Sequence, residues 1–256
     1  MDVAFITPIG LLEDMYDYEF WRPYHMILPE QVDNKMYREF YKTAYHDNTF
    51  KILDNGAAEY WQLEDADLIK LAFEFQVNEI VVPDVMGDAQ STAGKVASFA
   101  FYAAQHADLF SYMGVVQGKT VEELKDCLAL YIKLPWITTI GFPRCLQQLG
   151  KDTRVQMIEA FQDVITSTGK AIHCLGATQD PLEVLKLRKL KVRSIDTCMP
   201  IDFAIAGISL EQITDPDNIL RYMGRHENFF EWTPKIENYS LVVDNCATYA
   251  EWADAV

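Results

Sequence analysis

Positive charge is what this sequence has least of: 22 Lys and Arg stand against 38 Asp and Glu in 256 residues, a formal charge of -16. That excludes generic coating of nucleic acid, because gripping a phosphate backbone takes clustered cations that release counterions. Any polyanion must be met by a local patch. Cysteine is scarce and poorly spaced for a metal finger or a disulfide framework. Cys127, Cys145, Cys174, Cys198 and Cys246 are an odd number with no C-x-x-C pair, which fits a reduced, cytoplasmic protein. Long apolar runs are missing: the longest, Val96 to Ala104, falls well short of the ~20 residues that span a bilayer. The start, Met1-Asp2-Val3-Ala4-Phe5-Ile6-Thr7, has no basic segment, so no secretory signal is expected. Gly/Ser-rich linkers, low-complexity tracts and repeats are also missing, and residues 1–256 are expected to form a single domain. Half of the residues are hydrophobic, enough for a full core and too many for a disordered chain.

What is there is an alternation. Short β-rich runs occur at Val3–Thr7, His25–Pro29, Lys51–Asp54, Glu79–Asp84, Tyr112–Gln117, Trp136–Phe142, Ala171–Leu175 and Val192–Cys198. Most are continuously apolar, as parallel strands covered on both faces require. Helical patterns fall between them. Leu68, Leu71, Ala72 and Phe75 form one stripe at i, i+3, i+4, i+7. Thr120 and Glu123 read as a capping box, and Asp180-Pro181 with Glu183 as a helix start. A terminal helix is expected from about Ser240 to Ala253, after a polar insertion at Glu211–Asn238. Gly10 to Tyr24 reads as either helix or hairpin. Eight strands with helices in ~250 residues point to an α/β fold, a (β/α)8 TIM barrel, with a doubly wound open sheet as the alternative.

A barrel's chemistry lies at the carboxyl ends of its strands. Here those ends read Leu53-Asp54-Asn55-Gly56, Pro83-Asp84, Val116-Gln117-Gly118, Gly141-Phe142-Pro143-Arg144, Leu175-Gly176 and Ile195-Asp196-Thr197. Three carboxylates and an amide therefore share one mouth. An Asp after a strand can simply cap the next helix; three in one ring call for more. Such a set could attack an anomeric carbon through one carboxylate, read the donor edge of a purine, or hold Mg2+ as barrel lyases do.

The order and wording of the segments narrow the choice. Leu53-Asp54-Asn55-Gly56, Val82-Pro83-Asp84, Met113-Gly114-Val115-Val116-Gln117-Gly118, Ile140-Gly141-Phe142, His173-Cys174-Leu175-Gly176 with Asp180-Pro181-Leu182-Glu183, and Ser194-Ile195-Asp196-Thr197-Cys198-Met199-Pro200 resemble the tRNA-guanine transglycosylase family. That family carries Asp-Ser-Gly-Gly, G-I-V-Q-G-G, H-x-L-G-I-G-x-P-E-D and D-x-x-D-C-V-M-P segments in this order on a (β/α)8 barrel. The likeness covers about Leu53 to Pro200. It implies that Asp196 is the nucleophile on C1′, that Asp54 takes part in base recognition and proton transfer, and that Asp84 recognises the purine. Gln117, Gly118 and Gly141 would complete the base site. The implied reaction replaces guanine in a polynucleotide by a 7-deazaguanine such as preQ0 or preQ1, without a redox or nucleotide cofactor.

Departures from the family shape the expected substrate. The family's tRNA enzymes continue Met-Pro-Thr-Arg-Asn, whereas this chain has Met199-Pro200-Ile201-Asp202-Phe203 and lacks the C-terminal zinc subdomain. The resemblance therefore lies closer to the compact, zinc-free branch of phages and bacterial genomic islands, which modifies DNA, with an accessory protein as a possible partner. A non-catalytic barrel subunit and a metal-dependent barrel lyase are the alternatives. Lys119, Arg144, Arg221 and Arg225 follow strands on the mouth side and are candidate backbone contacts. The run Lys186, Arg188, Lys189, Lys191 and Arg193 lies at the opposite end and reads as a solvated helix end. Phe229, Phe230 and Trp232 read as the core of their own loop, and His173 as a structural histidine within its strand.

Overall fold

The computed structural model describes residues 1–16, 24–43, 49–59, 61, 63–214, 221–233 and 236–254. Its strands are β1 (Asp2–Phe5), β2 (Tyr24–Ile27), β3 (Phe50–Leu53), β4 (Glu79–Val81), β5 (Ser111–Val115), β6 (Thr139–Pro143), β7 (Ala171–Leu175) and β8 (Ser194–Thr197). All neighbouring pairs are parallel and follow the order β1-β8-β7-β6-β5-β4-β3-β2. The two ends of that ladder, β1 and β2, lie against each other, so the sheet is a nearly closed (β/α)8 barrel. The eight expected strands are all present, and the open-sheet alternative is set aside.

Helices α1 (Leu12–Tyr16), α2 (Lys35–Thr43), α3 (Asp65–Phe75), α4 (Ala89–Gln105), α5 (Val121–Lys133), α6 (Thr153–Ser167), α7 (Glu183–Leu187), α8 (Met199–Ile205) and α9 (Ile236–Ala253) surround it. The α3 stripe faces inward, with Leu68, Leu71, Ala72 and Phe75 all buried. Thr120 caps α5 by accepting from the Glu123 N–H, while the Glu123 carboxylate reaches the Lys119 N–H at 2.6 Å, one residue earlier than a capping box has it. Gly10–Tyr24 resolves into a short turn and α1 as far as Tyr16; residues 17–23 lie outside the described residues, as do 215–220 and 234–235 of the insertion. Among the described residues no helix is long and apolar enough to cross a membrane.

One expectation is corrected. Asp180 does not start α7, which begins at Glu183. Its Oδ1 instead accepts from the Leu182 N–H at 3.1 Å, a local turn ahead of the helix. Glu183 is the acid of the first turn, as expected, and is 4% exposed, paired with Arg154 of α6, itself 1% exposed. Arg154 Nη1 also donates to the carbonyls of Leu175 (3.1 Å) and Gly176 (2.8 Å), so this buried pair ties α6 and α7 to the end of β7.

The terminal insertion is anchored in a similar way. Asp202 is buried and accepts from the His226 N–H at 3.0 Å. Phe229 is fully buried and meets Phe230 edge-on at 5.3 Å, while the Phe230 carbonyl accepts from the Ile9 N–H at 3.1 Å. The aromatic cluster is thus the core of its own loop, packed over the end of β1.

Removing one member of a fully buried ion pair strands the other. Arg154→Ala is therefore expected to lower the unfolding free energy by about 3–5 kcal/mol, measured by urea denaturation at pH 7. A loss below about 1 kcal/mol, the value of a surface pair, would show that the clamp does not stabilise the barrel.

Candidate active site

The strand ends surround a cavity of about 480 Å3 at the carboxyl end of the barrel. Its lining includes Asp54, Asn55, Asp84, Gln117, Arg144 and Asp196, with Glu59 and Arg225 at its side. Asp54, Asp84 and Asp196 belong to the ends of three different strands, so the barrel brings together residues up to 142 positions apart. Asp196 lies within β8, which ends at Thr197, while Asp84 lies three residues past β4, which stops at Val81.

The three central carboxylates have different surroundings. Asp84 is 3% exposed. Asn55 Nδ2 donates to its Oδ1 at 2.6 Å, and Gln117 Nε2 donates to its Oδ2. Burial pushes its carboxyl up and these two donors pull it back. Asn55 is fully committed, since its second N–H goes to the Val82 carbonyl at 2.8 Å and its Oδ1 accepts from Ala57 N–H at 2.8 Å. Gln117 retains one amide N–H, its Oε1 being held by the Gly87 N–H at 2.9 Å. Each Asp84 oxygen retains a lone pair.

Asp196 is held on one oxygen only. His173 Nε2 and the Gly176 N–H both approach its Oδ1 at 3.1 Å, and no hydrogen bond reaches Oδ2 among the described residues. Its side chain is 13% exposed, on the cavity side. Asp54 is the opposite case: its carboxyl is pushed well above the usual range by burial and then by Glu59, Asp196, Glu30 and Asp84. Beside it, Glu30 is pushed up to about 7 by burial and Glu59. Both Glu30 carboxylate oxygens and Glu59 Oε2 are buried without a hydrogen-bond partner among the described residues. Glu59 Oε1 meets Arg225 Nη2 at 3.5 Å.

Compared with models of known protein families, the chain matches none, and a search of curated proteins gives no match either. The reading of the site therefore rests on the residues themselves. Asp54, Asp84, Gln117, Asp196, Arg144 and Arg225, all anticipated from the strand ends, come together in the cavity. Gly118, Gly141, Lys119 and Arg221 do not line it. Gly118 packs on the first turn of α5, where a Cβ would come within 2.8 Å of Glu123. Gly141 lies under the floor, where a Cβ would be 2.7 Å from Leu175, and its carbonyl accepts from the Val116 N–H at 2.9 Å. Lys119 borders a separate groove between α4 and α5, and Arg221 is exposed. Arg225 lies over the Phe230 ring at 4.6 Å and is partly neutralised by Glu59.

Sequence reasoning missed Glu30, Glu59 and the engagement of His173. The signal for Glu30 was its place three residues past the end of β2, the strand next to the one that Asp54 follows. Arg193 does not belong to the solvated basic run. It is folded into the barrel interior against Glu79, Nη2 to Oε2 at 2.6 Å, while Lys186 and Lys191 pair with Asp152 and Asp163 on the outside. Among the described residues no group of three or more His, Cys, Asp or Glu is arranged to hold a metal ion.

Glu30 keeps its proton up to about pH 7 in the folded chain and loses it near 4.5 when unfolded. Its contribution to stability is complete below 4.5 and is lost as pH rises through 7. Glu30→Gln should therefore match the parent at pH 4 and exceed it by about 3 kcal/mol at pH 8, read by urea unfolding at both pH values. An equal difference at the two pH values would contradict the neutral state of Glu30.

Proposed function

We propose that the protein is a base-exchange transglycosylase that replaces guanine in a polynucleotide, DNA in preference to tRNA, by a 7-deazaguanine. The observation that carries this reading is the different setting of three carboxyl groups in one cavity: Asp84 buried under two amide donors, Asp54 buried among other acids that push it towards its neutral form, and Asp196 donor-bound on one oxygen alone.

Asp84 and Gln117 suit a guanine edge. The two free acceptor sites of Asp84 match N1–H and N2–H2, and the remaining N–H of Gln117 matches O6. Asp196 attacks C1′ through Oδ2, forming a glycosyl ester as the bond to guanine N9 breaks. The electron pair departs with the base, and Asp54 supplies the proton that makes it neutral guanine. The incoming 7-deazaguanine returns a proton from N9 to Asp54, attacks C1′ and releases the Asp196 carboxylate. Two displacements on one centre give retention.

A nucleotide inside a duplex cannot reach such a cavity, so the target base is extruded or already single-stranded. Arg144, exposed at the rim, and Arg225 are the cations at hand for the flanking backbone. With a charge of -16 and few cations at the mouth, the isolated protein binds polynucleotide weakly and in a salt-sensitive way. The preference for DNA rests on the sequence: Asp202-Phe203 stands where the tRNA enzymes carry Arg-Asn.

The test is incubation of guanine-containing DNA with a labelled 7-deazaguanine, followed by trapping of the protein–DNA ester. The label should enter DNA, and Asp196→Ala should abolish the adduct while leaving base affinity within twofold. Asp84→Ala should weaken base binding about 10- to 100-fold, as loss of hydrogen bonds to a charged group does. No incorporation and no adduct with the unaltered protein would end this reading; equal loss of base affinity in both variants would contradict the separate roles.

A further inference from the structure

We propose that His173 is the positioning residue of the Asp196 carboxylate, and that a one-way line of hydrogen bonds from the barrel interior sets its tautomer. The line can be followed atom by atom. Glu79, fully buried, grips Arg193 through Nη1–Oε1 at 3.2 Å and Nη2–Oε2 at 2.6 Å. Thr139 joins both, donating to Glu79 and accepting from Arg193. The guanidinium also lies 5.1 Å from the Phe50 ring centre, which restricts it further. Arg193 Nε then points at Ser194 Oγ, 3.2 Å away. Ser194 Oγ is 2.8 Å from His173 Nδ1, and His173 Nε2 is 3.1 Å from Asp196 Oδ1.

The direction of this line follows from which groups can donate. A guanidinium has donors only and a carboxylate acceptors only, so Ser194 Oγ accepts from Arg193 Nε and His173 Nε2 is the donor to Asp196 Oδ1. In a ring carrying a single proton Nδ1 is then an acceptor, and the Ser194 hydroxyl proton is the donor that meets it. The Gly176 N–H supplies the second donor to the same oxygen, and Gly176 is itself held by Arg154 through its carbonyl. Two fixed donors on Oδ1 orient the carboxylate plane and leave Oδ2 as the oxygen without a protein donor. His173 is completely buried and meets no substrate; it acts through Asp196.

The role of Asp196 as nucleophile rests on the base-exchange reading, but the direction of the line does not. Two measurements separate them. The first is 15N NMR of the unaltered, histidine-labelled protein at pH 7, with the His173 signals assigned by their loss in His173→Gln. A neutral ring protonated at Nε2 is expected; a ring protonated at Nδ1, or an imidazolium, overturns the relay whether or not the protein exchanges bases. The second is single-turnover formation of the DNA–protein ester. His173→Leu should slow it about 100-fold, the scale of a misplaced reacting group, with 7-deazaguanine affinity within twofold. His173→Gln, which can still donate to Oδ1, should recover at least tenfold of that loss. Parallel loss of affinity and rate, or no recovery with Gln, overturns the positioning role. Absence of ester with the unaltered protein overturns the base-exchange reading, and with it the positioning of a nucleophile.

Discussion

Asp54, Glu59, Asp84, Asp196 and Glu30 crowd one partly desolvated mouth, and five like charges in such a space repel one another strongly. Each acid meets this constraint differently. Asp84 takes two side-chain amides, Asp196 takes an imidazole and a backbone N–H, and Glu59 faces Arg225. Asp54 and Glu30, with no cation of their own, are pushed towards the neutral form. Crowding thus gives chemically similar side chains different hydrogen-bonding and charge states. The proposed base exchange, with its nucleophile and its acid, draws on that difference.

The barrel makes this sorting possible by holding each acid from below. The ladder of parallel strands delivers the carboxylates to one end, and buried pairs fix the frame around them. Arg154 and Glu183 secure Gly176, whose N–H holds Asp196. Glu79 and Arg193 occupy the interior beneath Ser194 and His173. Buried ion pairs contribute little net stability against apolar isosteres; here they lie two and three contacts from Asp196. Precision at that carboxylate is the physical reason to keep them.

Strand number, strand order and the six acids, amides and arginines now lining the mouth were legible because they follow from apolar runs and from what comes directly after them. Strand limits were less so. Asp84 and Gln117 fall beyond their strands because pairing ends at Val81 and Val115, while the apolar run continues into the loop. His173 is the buried, satisfied histidine that its strand suggests; its partners Ser194 and Asp196 lie on the neighbouring strand, and a strand covered on both faces carries no alternation that would reveal them. Arg193 looked like one more surface cation in a basic run. Its partner Glu79 lies 114 residues away, a pairing that no local pattern carries. The Asp180-Pro181 segment misled for a local reason: Asp180 closes a turn of its own before the helix begins.

The account depends most on one cavity serving both recognition and attack. The most direct measurement is the structure of the protein bound to guanine. The base should lie with N1–H and N2–H2 on Asp84, O6 on the free amide N–H of Gln117, and N9 turned towards Asp196 Oδ2. Guanine seated elsewhere, or in the cavity with Asp84 unengaged and N9 turned away from Asp196, would contradict it.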